Sequence, residues 1–126
     1  MKLPASLVAE GWIDFKQLAP ETKEYYDGLW ALEILLDAID RDPSYAWEIL
    51  ENILIIDRGG RWNDDVALDV LAELLNDHPA YSLKKLEASI PSNGALEKIA
   101  GSLNKHDLDP ESFAKVSAVL MITGNQ

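Results

Sequence analysis

An internal repeat with an offset of 36 residues constrains the fold of this chain more than any other feature. When residues 31–54 are aligned with residues 67–90, seven of the 24 positions are identical. A third, shorter copy starts at residues 95–97, whose Ala-Leu-Glu repeats that of residues 31–33. Self-similarity of this length is typical of supersecondary units that bury their apolar faces by stacking on one another.

Apolar residues recur at helical spacing along nearly the whole chain, and proline stands where helices are expected to begin. The alternation typical of strands is absent from the sequence. The pattern predicts an all-α fold of about seven helices: one leading helix and three helical hairpins at about residues 24–57, 63–90 and 92–123. Residues 1–126 are expected to form a single helical-repeat domain, either a short HEAT-like α-solenoid or a compact bundle.

The second predicted helix is apolar on two sides. At 100° per residue its leucines form one stripe, while Trp30 and Ile34 lie nearly opposite that stripe. Such a helix is expected to pack on both sides, as in the middle of a solenoid. The aromatic residues predicted to be in the core are Trp12, Trp30 and Trp47, with Tyr45 and Tyr81 in matching packing roles.

Negative charge is concentrated in the middle of the chain. Residues 21–77 hold 15 acidic and four basic residues, which accounts for the whole net charge of −11. Nucleic acid is an unfavourable ligand for such a surface because its phosphates would be repelled, so a basic protein is the expected partner. The alternative is an acidic surface that serves only solubility. The sequence has no cysteine. It contains neither a recognisable signal peptide nor a run of apolar residues long enough to span a membrane, so a cytoplasmic protein is expected.

Two sets of acidic residues are candidates for the docking surface. The first set lies at successive i+4 positions of the fourth predicted helix and consists of Asp65, Asp69, Glu73 and Asp77. Glu33 and Asp37 occupy the equivalent positions of Asp69 and Glu73 one repeat earlier. Since like charges so spaced destabilise an isolated helix, the row favours a role in binding Lys and Arg side chains. In a solenoid the two sets would merge into one acidic face; the alternative is an ordinary solvated helix face.

The connection at residues 57–65 is the second candidate for partner binding. It contains Arg58, Arg61 and Trp62, residue types that are enriched at interfaces, beside Gly59-Gly60, which permit a sharp turn. Trp62 is either an anchor for a partner or a hydrophobic staple at the start of the fourth helix.

Catalytic chemistry has little support in the sequence. The two histidines, His78 and His106, stand far apart in the chain and lack metal-ligand spacing, and the acids are expected to be solvated. We therefore expect no enzymatic activity, no metal and no cofactor.

Several short motifs match those of a known family. They are Trp12, Trp30-Ala31-x-Glu33, Asp42-Pro43-x-x-Ala46-Trp47, Ile53-Leu54-x-x-Asp57 and Leu71-x-Glu73-Leu74-Leu75-x-x-His78. On these residues the chain, from about residue 7 to residue 119, resembles a family of small all-helical bacterial proteins described only as a domain of unknown function. It departs from the family at residues 69–70, Asp-Val here and Gly-Pro there, and at residue 79, proline here and glycine there. Proteins of this kind look like immunity proteins, which block a toxin made by the same cell or its neighbours.

Two functional hypotheses follow. The first is an acidic, non-enzymatic binding protein, an immunity protein or inhibitor that neutralises a basic partner such as a toxin. The second is an adaptor or scaffold repeat that holds a peptide or helix in its groove. Binding by the first would depend on salt concentration, whereas binding by the second would be nearly independent of it.

Overall fold

A computed structural model of the protein describes residues 2–123, with side chains up to Met121. Met1 and residues 124–126, which the single-domain prediction included, lie outside the described residues. Residues 2–123 form seven helices and no strand, which confirms the predicted all-α fold. The helices are α1 (Ala5–Lys16), α2 (Lys23–Asp27 and Leu29–Arg41, separated by Gly28), α3 (Pro43–Ile56), α4 (Asn63–Asp65, Val66–Leu71 and Ala72–Asp77 in one run), α5 (Pro79–Ser89), α6 (Gly94–Gly101) and α7 (Pro110–Thr123).

The turns that join α2 to α3 and α4 to α5 have the same backbone conformation. Asp42 has φ −144° and ψ 73°, and His78, its equivalent in the repeat, has φ −134° and ψ 64°. In both hairpins the next residue is a proline at the first helical position, where its missing N–H costs nothing. The repeat in the sequence is therefore also a repeat of local structure.

The middle of α4 is a π-helical segment, Val66–Leu71, which the periodicity of the sequence did not predict. The apolar residues of α4 explain why it is accommodated. At 100° per residue the buried ones would spread over about two thirds of the helix circumference, whereas the wider π turn advances each residue through a smaller angle and narrows that spread. The buried residues are Val66, Ala67, Val70, Leu71, Ala72, Leu74 and Leu75.

By its internal contacts the chain divides into two compact units, one up to Gly59 and one from Gly60. In the first unit, α1 packs across both helices of the α2–α3 hairpin. The large, fully buried side chains of this unit are Trp12, Leu35, Trp47, Ile49, Leu50 and Ile53. The prediction that Trp12 and Trp47 belong to the core is confirmed.

In the second unit, α5 and α6 each pack against α4 and α7. Two buried serines connect these helices. The hydroxyl of Ser82 donates a hydrogen bond of 2.8 Å to the carbonyl of Leu74, and that of Ser112 donates one of 3.4 Å to Leu75. Both acceptors lie in the last turn of α4. The Leu74 carbonyl also accepts from the His78 backbone N–H at 2.9 Å, so Ser82 adds a second hydrogen bond to this carbonyl from the neighbouring helix.

Each unit contains one copy of the main repeat. Of the repeated apolar residues, Leu32 is half-buried and its equivalent Leu68 is exposed, while three pairs are buried in both copies. The pairs are Ala31 and Ala67, Leu35 and Leu71, and Leu50 and Leu86. The matching burial supports the interpretation of the repeat as a packed hairpin. The arrangement as one solenoid or bundle stays a prediction.

Two aromatic residues that were expected in the core lie at the surface. Trp30 is 38% exposed and Tyr81 is 37% exposed, whereas Tyr45, the repeat equivalent of Tyr81, is buried. Leu36 is also exposed, so α2 buries only part of its leucine stripe. The expected packing on both sides of α2 is therefore wrong for Trp30, because no complete second layer covers that side within the first unit. Among the helices described, none combines the length and the apolar character that crossing a membrane requires.

Candidate functional site

The first unit contains a groove of about 490 Å³ along α2 and the start of α3. Its volume falls within the range of small-ligand and side-chain binding sites. The groove is lined by Lys2, Leu3, Trp30, Glu33, Ile34, Asp37, Ala38, Asp42 and Tyr45. It thus combines apolar and aromatic side chains with three carboxylates and one ammonium group.

Trp30, which forms part of the groove wall, rests directly on the backbone of α1. A Cβ atom added to Gly11 would lie 2.5 Å from Cζ2 and 2.7 Å from Cη2 of the Trp30 ring. Such distances are shorter than van der Waals contact, so the ring occupies the space that any other residue at position 11 would need. The Trp30 ring therefore packs directly on Gly11, and the rest of the indole remains partly exposed in the groove.

The segment that precedes α1 closes one end of the groove. The ammonium of Lys2 forms an ion pair with Asp42 and lies 5.0 Å from the centroid of the Tyr45 ring. The Tyr45 hydroxyl donates a hydrogen bond to the carbonyl of Leu3. One aromatic side chain thus contacts both residues of the segment, while the Asp42 carboxylate also accepts from the Tyr45 backbone N–H at 3.3 Å and caps α3.

Electrostatics reinforce this closure. The hydrogen bond between the two side chains raises the pKa of Lys2 above its ordinary value and lowers the pKa of Asp42 below its own. Burial raises the pKa of the Tyr45 phenol. All three groups therefore keep their usual charge near neutral pH, with Lys2 cationic, Asp42 anionic and Tyr45 neutral.

Glu33 and Asp37, which the sequence predicted as partner-binding residues, both line the groove, and both are exposed. Arg41 Nε lies 3.4 Å from Oδ1 of Asp37 and 3.7 Å from Oδ2 of Asp40. The Arg41 and Asp37 side chains are 77% and 65% exposed, and such pairs contribute only about 0–1 kcal/mol. Asp37 can consequently exchange Arg41 for another cation at little cost.

The second acidic set lies on α4, in the other unit. Asp69, Glu73 and Asp77 are exposed, while Asp65 is half-buried at the start of the π-helical segment. The structure thus places these four residues on one helix, as predicted, with buried apolar residues on its other side. The merging of this set with Glu33 and Asp37 stays a prediction.

The connection before α4 contains a second aromatic–cation contact. The Arg61 guanidinium carbon lies 4.8 Å from the centroid of the Trp62 ring, and Trp62 is half-buried. The Trp62 carbonyl accepts a hydrogen bond of 2.9 Å from the Val66 N–H, so Trp62 is the N-cap residue of α4. Gly60 has φ +69°, a left-handed conformation that favours glycine, and Arg58 is exposed. Both interpretations of Trp62, as an anchor for a partner and as a hydrophobic staple, stay predictions.

The candidate metal ligands and the two histidines do not form a cluster in the part of the chain that the structure describes. Within residues 2–123, no three His, Cys, Asp or Glu side chains are grouped so that they could hold a metal ion. His78 is half-buried where α5 begins, and His106 is exposed in the connection before α7. The expectation of a non-enzymatic protein stays a prediction.

Sequence reasoning missed the residues that shape the groove. It assigned no role to Gly11, to Lys2 and Leu3, or to the polar contacts of Tyr45. One signal was present: Trp30 and Ile34 lie opposite the leucine stripe of α2, and both line the groove. The residues that pack beside them, such as Gly11 and Leu3, are about 20 to 40 positions away in the sequence, and periodicity does not encode contacts over such distances.

Fold and site together define an all-helical protein with an apolar groove bordered by carboxylates. Comparisons of the chain with known protein families, with curated proteins and with solved structures find no match.

Proposed function

We propose that the protein is a non-enzymatic binding protein that neutralises a basic partner protein, such as a toxin. The observation that carries the proposal is the groove of the first unit, where Trp30 and Ile34 lie beside the exposed carboxylates of Glu33 and Asp37. A half-exposed aromatic side chain next to acidic groups matches a partner surface that has an apolar centre and a basic rim.

The distribution of charge supports the same partner. Residues 21–77 hold 15 acidic and four basic residues, and this excess of negative charge would attract a basic protein over distances of about 10 Å at moderate salt. Attraction of this kind mainly increases the association rate. The resemblance to immunity-like proteins supports inhibition as the result of binding.

The apolar part of the groove would set the lifetime of the complex. Tryptophan is among the residues that contribute most when an interface excludes water, and Trp30 has enough exposed surface to contact a partner. The acids would thus direct encounter and register, and Trp30 would slow dissociation.

The proposal is tested by affinity capture from a lysate of the source cells with the protein as bait, at low and at high salt. We expect a basic protein at low salt that is lost at high salt and whose own activity is inhibited by the bait. The acidic sets are compared through the double variants Glu33→Gln/Asp37→Asn and Asp69→Asn/Glu73→Gln.

The control variant is Glu10→Gln/Glu87→Gln, which removes two exposed acids outside both sets and changes the net charge equally. Weaker capture by either test variant than by this control supports docking through the acids. Equal capture by all three variants, or capture of an acidic protein, would contradict the proposal.

The adaptor hypothesis keeps one specific observation in its favour. Besides Trp30, the first unit exposes Leu7 and Leu36 by 43% and 51%. A partner held by such residues would remain bound at high salt, and its capture would be insensitive to the acid substitutions.

A further inference from the structure

Lys2 indicates which chemistry the groove accepts. Its ammonium lies over the Tyr45 ring and pairs with Asp42, so a cation of the chain itself occupies one end of the groove. The combination of an aromatic ring and a carboxylate around an ammonium is a general mode of binding cationic side chains.

The neighbouring part of the groove repeats these elements along α2. Trp30, Glu33, Ile34 and Asp37 are related by steps of i, i+3, i+4 and i+7, so they form one stripe on the helix, and all four line the groove. We call these four residues the α2 stripe. It presents an aromatic ring, an aliphatic contact and two carboxylates that are one helical turn apart.

We infer that the α2 stripe binds a helical segment of the partner that carries two Lys or Arg residues at positions i and i+4. This inference rests on the proposed function. It specifies where the basic partner binds and which of its residues are recognised. Glu33 and Asp37 are four residues apart, which corresponds to about 6 Å along the axis of α2. Two cations one turn apart on a helix lying along α2 match that spacing, and an apolar residue between them would contact Trp30 and Ile34.

Arg41 competes with the partner segment for the Asp37 carboxylate. Its contact with Asp37 is exposed, and a partner cation would replace it. Removal of Arg41 should therefore strengthen binding, whereas removal of Lys2 should leave the two stripe carboxylates unchanged, since Lys2 pairs with Asp42 at the other end of the groove.

The test uses the full-length protein and synthetic helical peptides of Ala and Leu with two lysines. One peptide carries its lysines at i and i+4, a second carries them at i and i+2 on opposite faces, and a third has norleucine in place of both lysines. Dissociation constants are measured by fluorescence anisotropy of the labelled peptides. We expect the first peptide to bind at least about tenfold more tightly than the other two.

The protein variants locate the binding site. We expect Glu33→Gln/Asp37→Asn to weaken the first peptide by roughly tenfold and Arg41→Gln to tighten it by about twofold to fivefold. Glu10→Gln/Glu87→Gln is the control, because it changes the net charge by the same amount as the stripe variant. Trp30→Phe keeps a ring on Gly11 and should weaken binding less than Trp30→Ala; circular dichroism and thermal unfolding verify that each variant is folded.

Three results would overturn the inference: equal binding of the two lysine spacings, equal effects of the stripe variant and its control, or binding of N-acetyl-lysine amide as tight as that of the peptide. The last would indicate a site for small ammonium compounds. If a basic partner is captured from lysate and only Asp69→Asn/Glu73→Gln weakens it, the proposed function stands and the α2 stripe is not its seat.

Discussion

Replacing Gly11 by alanine tests the contact that holds the groove wall in place. In the interior of an exposed helix this substitution stabilises by about 1 kcal/mol, because alanine has the higher helix propensity. At position 11, however, the added Cβ would lie 2.5 Å and 2.7 Å from two ring atoms of Trp30 and 3.0 Å from Cβ of Ala31. Overpacking of this kind costs about 1–3 kcal/mol.

The sum is an expected net loss of about 1 kcal/mol in the free energy of unfolding, or roughly 3–5 °C in Tm. Because Trp30 is already 38% exposed, its ring can move outward, and its quenching by acrylamide should increase. Urea unfolding measures the stability, and subtraction of the emission of Trp30→Phe isolates the signal of Trp30 from those of the other three tryptophans.

Gly101→Ala, at the last residue of α6, is the control without a steric clash, since a Cβ at Gly101 would have no neighbour within 4 Å. It should stabilise the protein by about 0.5–1 kcal/mol. In a Trp30→Ala background the ring is absent and only the 3.0 Å contact with Cβ of Ala31 remains, so Gly11→Ala should lose most of its destabilising effect. If Gly11→Ala stabilises the wild-type protein as much as Gly101→Ala does and leaves the quenching of Trp30 unchanged, Trp30 does not pack on Gly11 as described.

Three further predictions concern buried or paired polar groups. Tyr45→Phe removes a hydrogen bond and should cost about 1 kcal/mol in urea unfolding, whereas Tyr81→Phe, at the exposed repeat equivalent, should be nearly neutral. Ser82→Ala removes a buried hydrogen bond of 2.8 Å and should also cost about 1 kcal/mol; an unchanged Tm would contradict the role of this serine. The stabilisation from the Lys2–Asp42 pair should be complete between the two ordinary pKa values and be lost as the pH falls through the lowered pKa of Asp42 or rises through the raised pKa of Lys2. Comparison of Tm against pH for wild type and Lys2→Met checks this, and identical profiles would refute it.

The acidic residues illustrate a prediction that depends only on local pattern. Glu33 and Asp37 are exposed on α2, and Asp69, Glu73 and Asp77 are exposed on α4, because charged groups spaced by one helical turn on an amphipathic helix avoid the buried side. Exposure follows from this periodicity alone. The pairing of Asp37 with Arg41 is also local, since the two residues are four positions apart.

Local pattern in the sequence accounts for the seven helices, for the prolines that begin α3 and α5, and for three of the repeated apolar positions that are buried in both units. These features follow from periodicity and backbone chemistry within a few residues. Three features come from tertiary packing alone: the contact of Trp30 with Gly11, the hydrogen bond from Tyr45 to Leu3, and the π-helical segment of α4. The two contacts join residues that are distant in the chain, and the π segment depends on which side chains the neighbouring helices bury; local pattern determines neither.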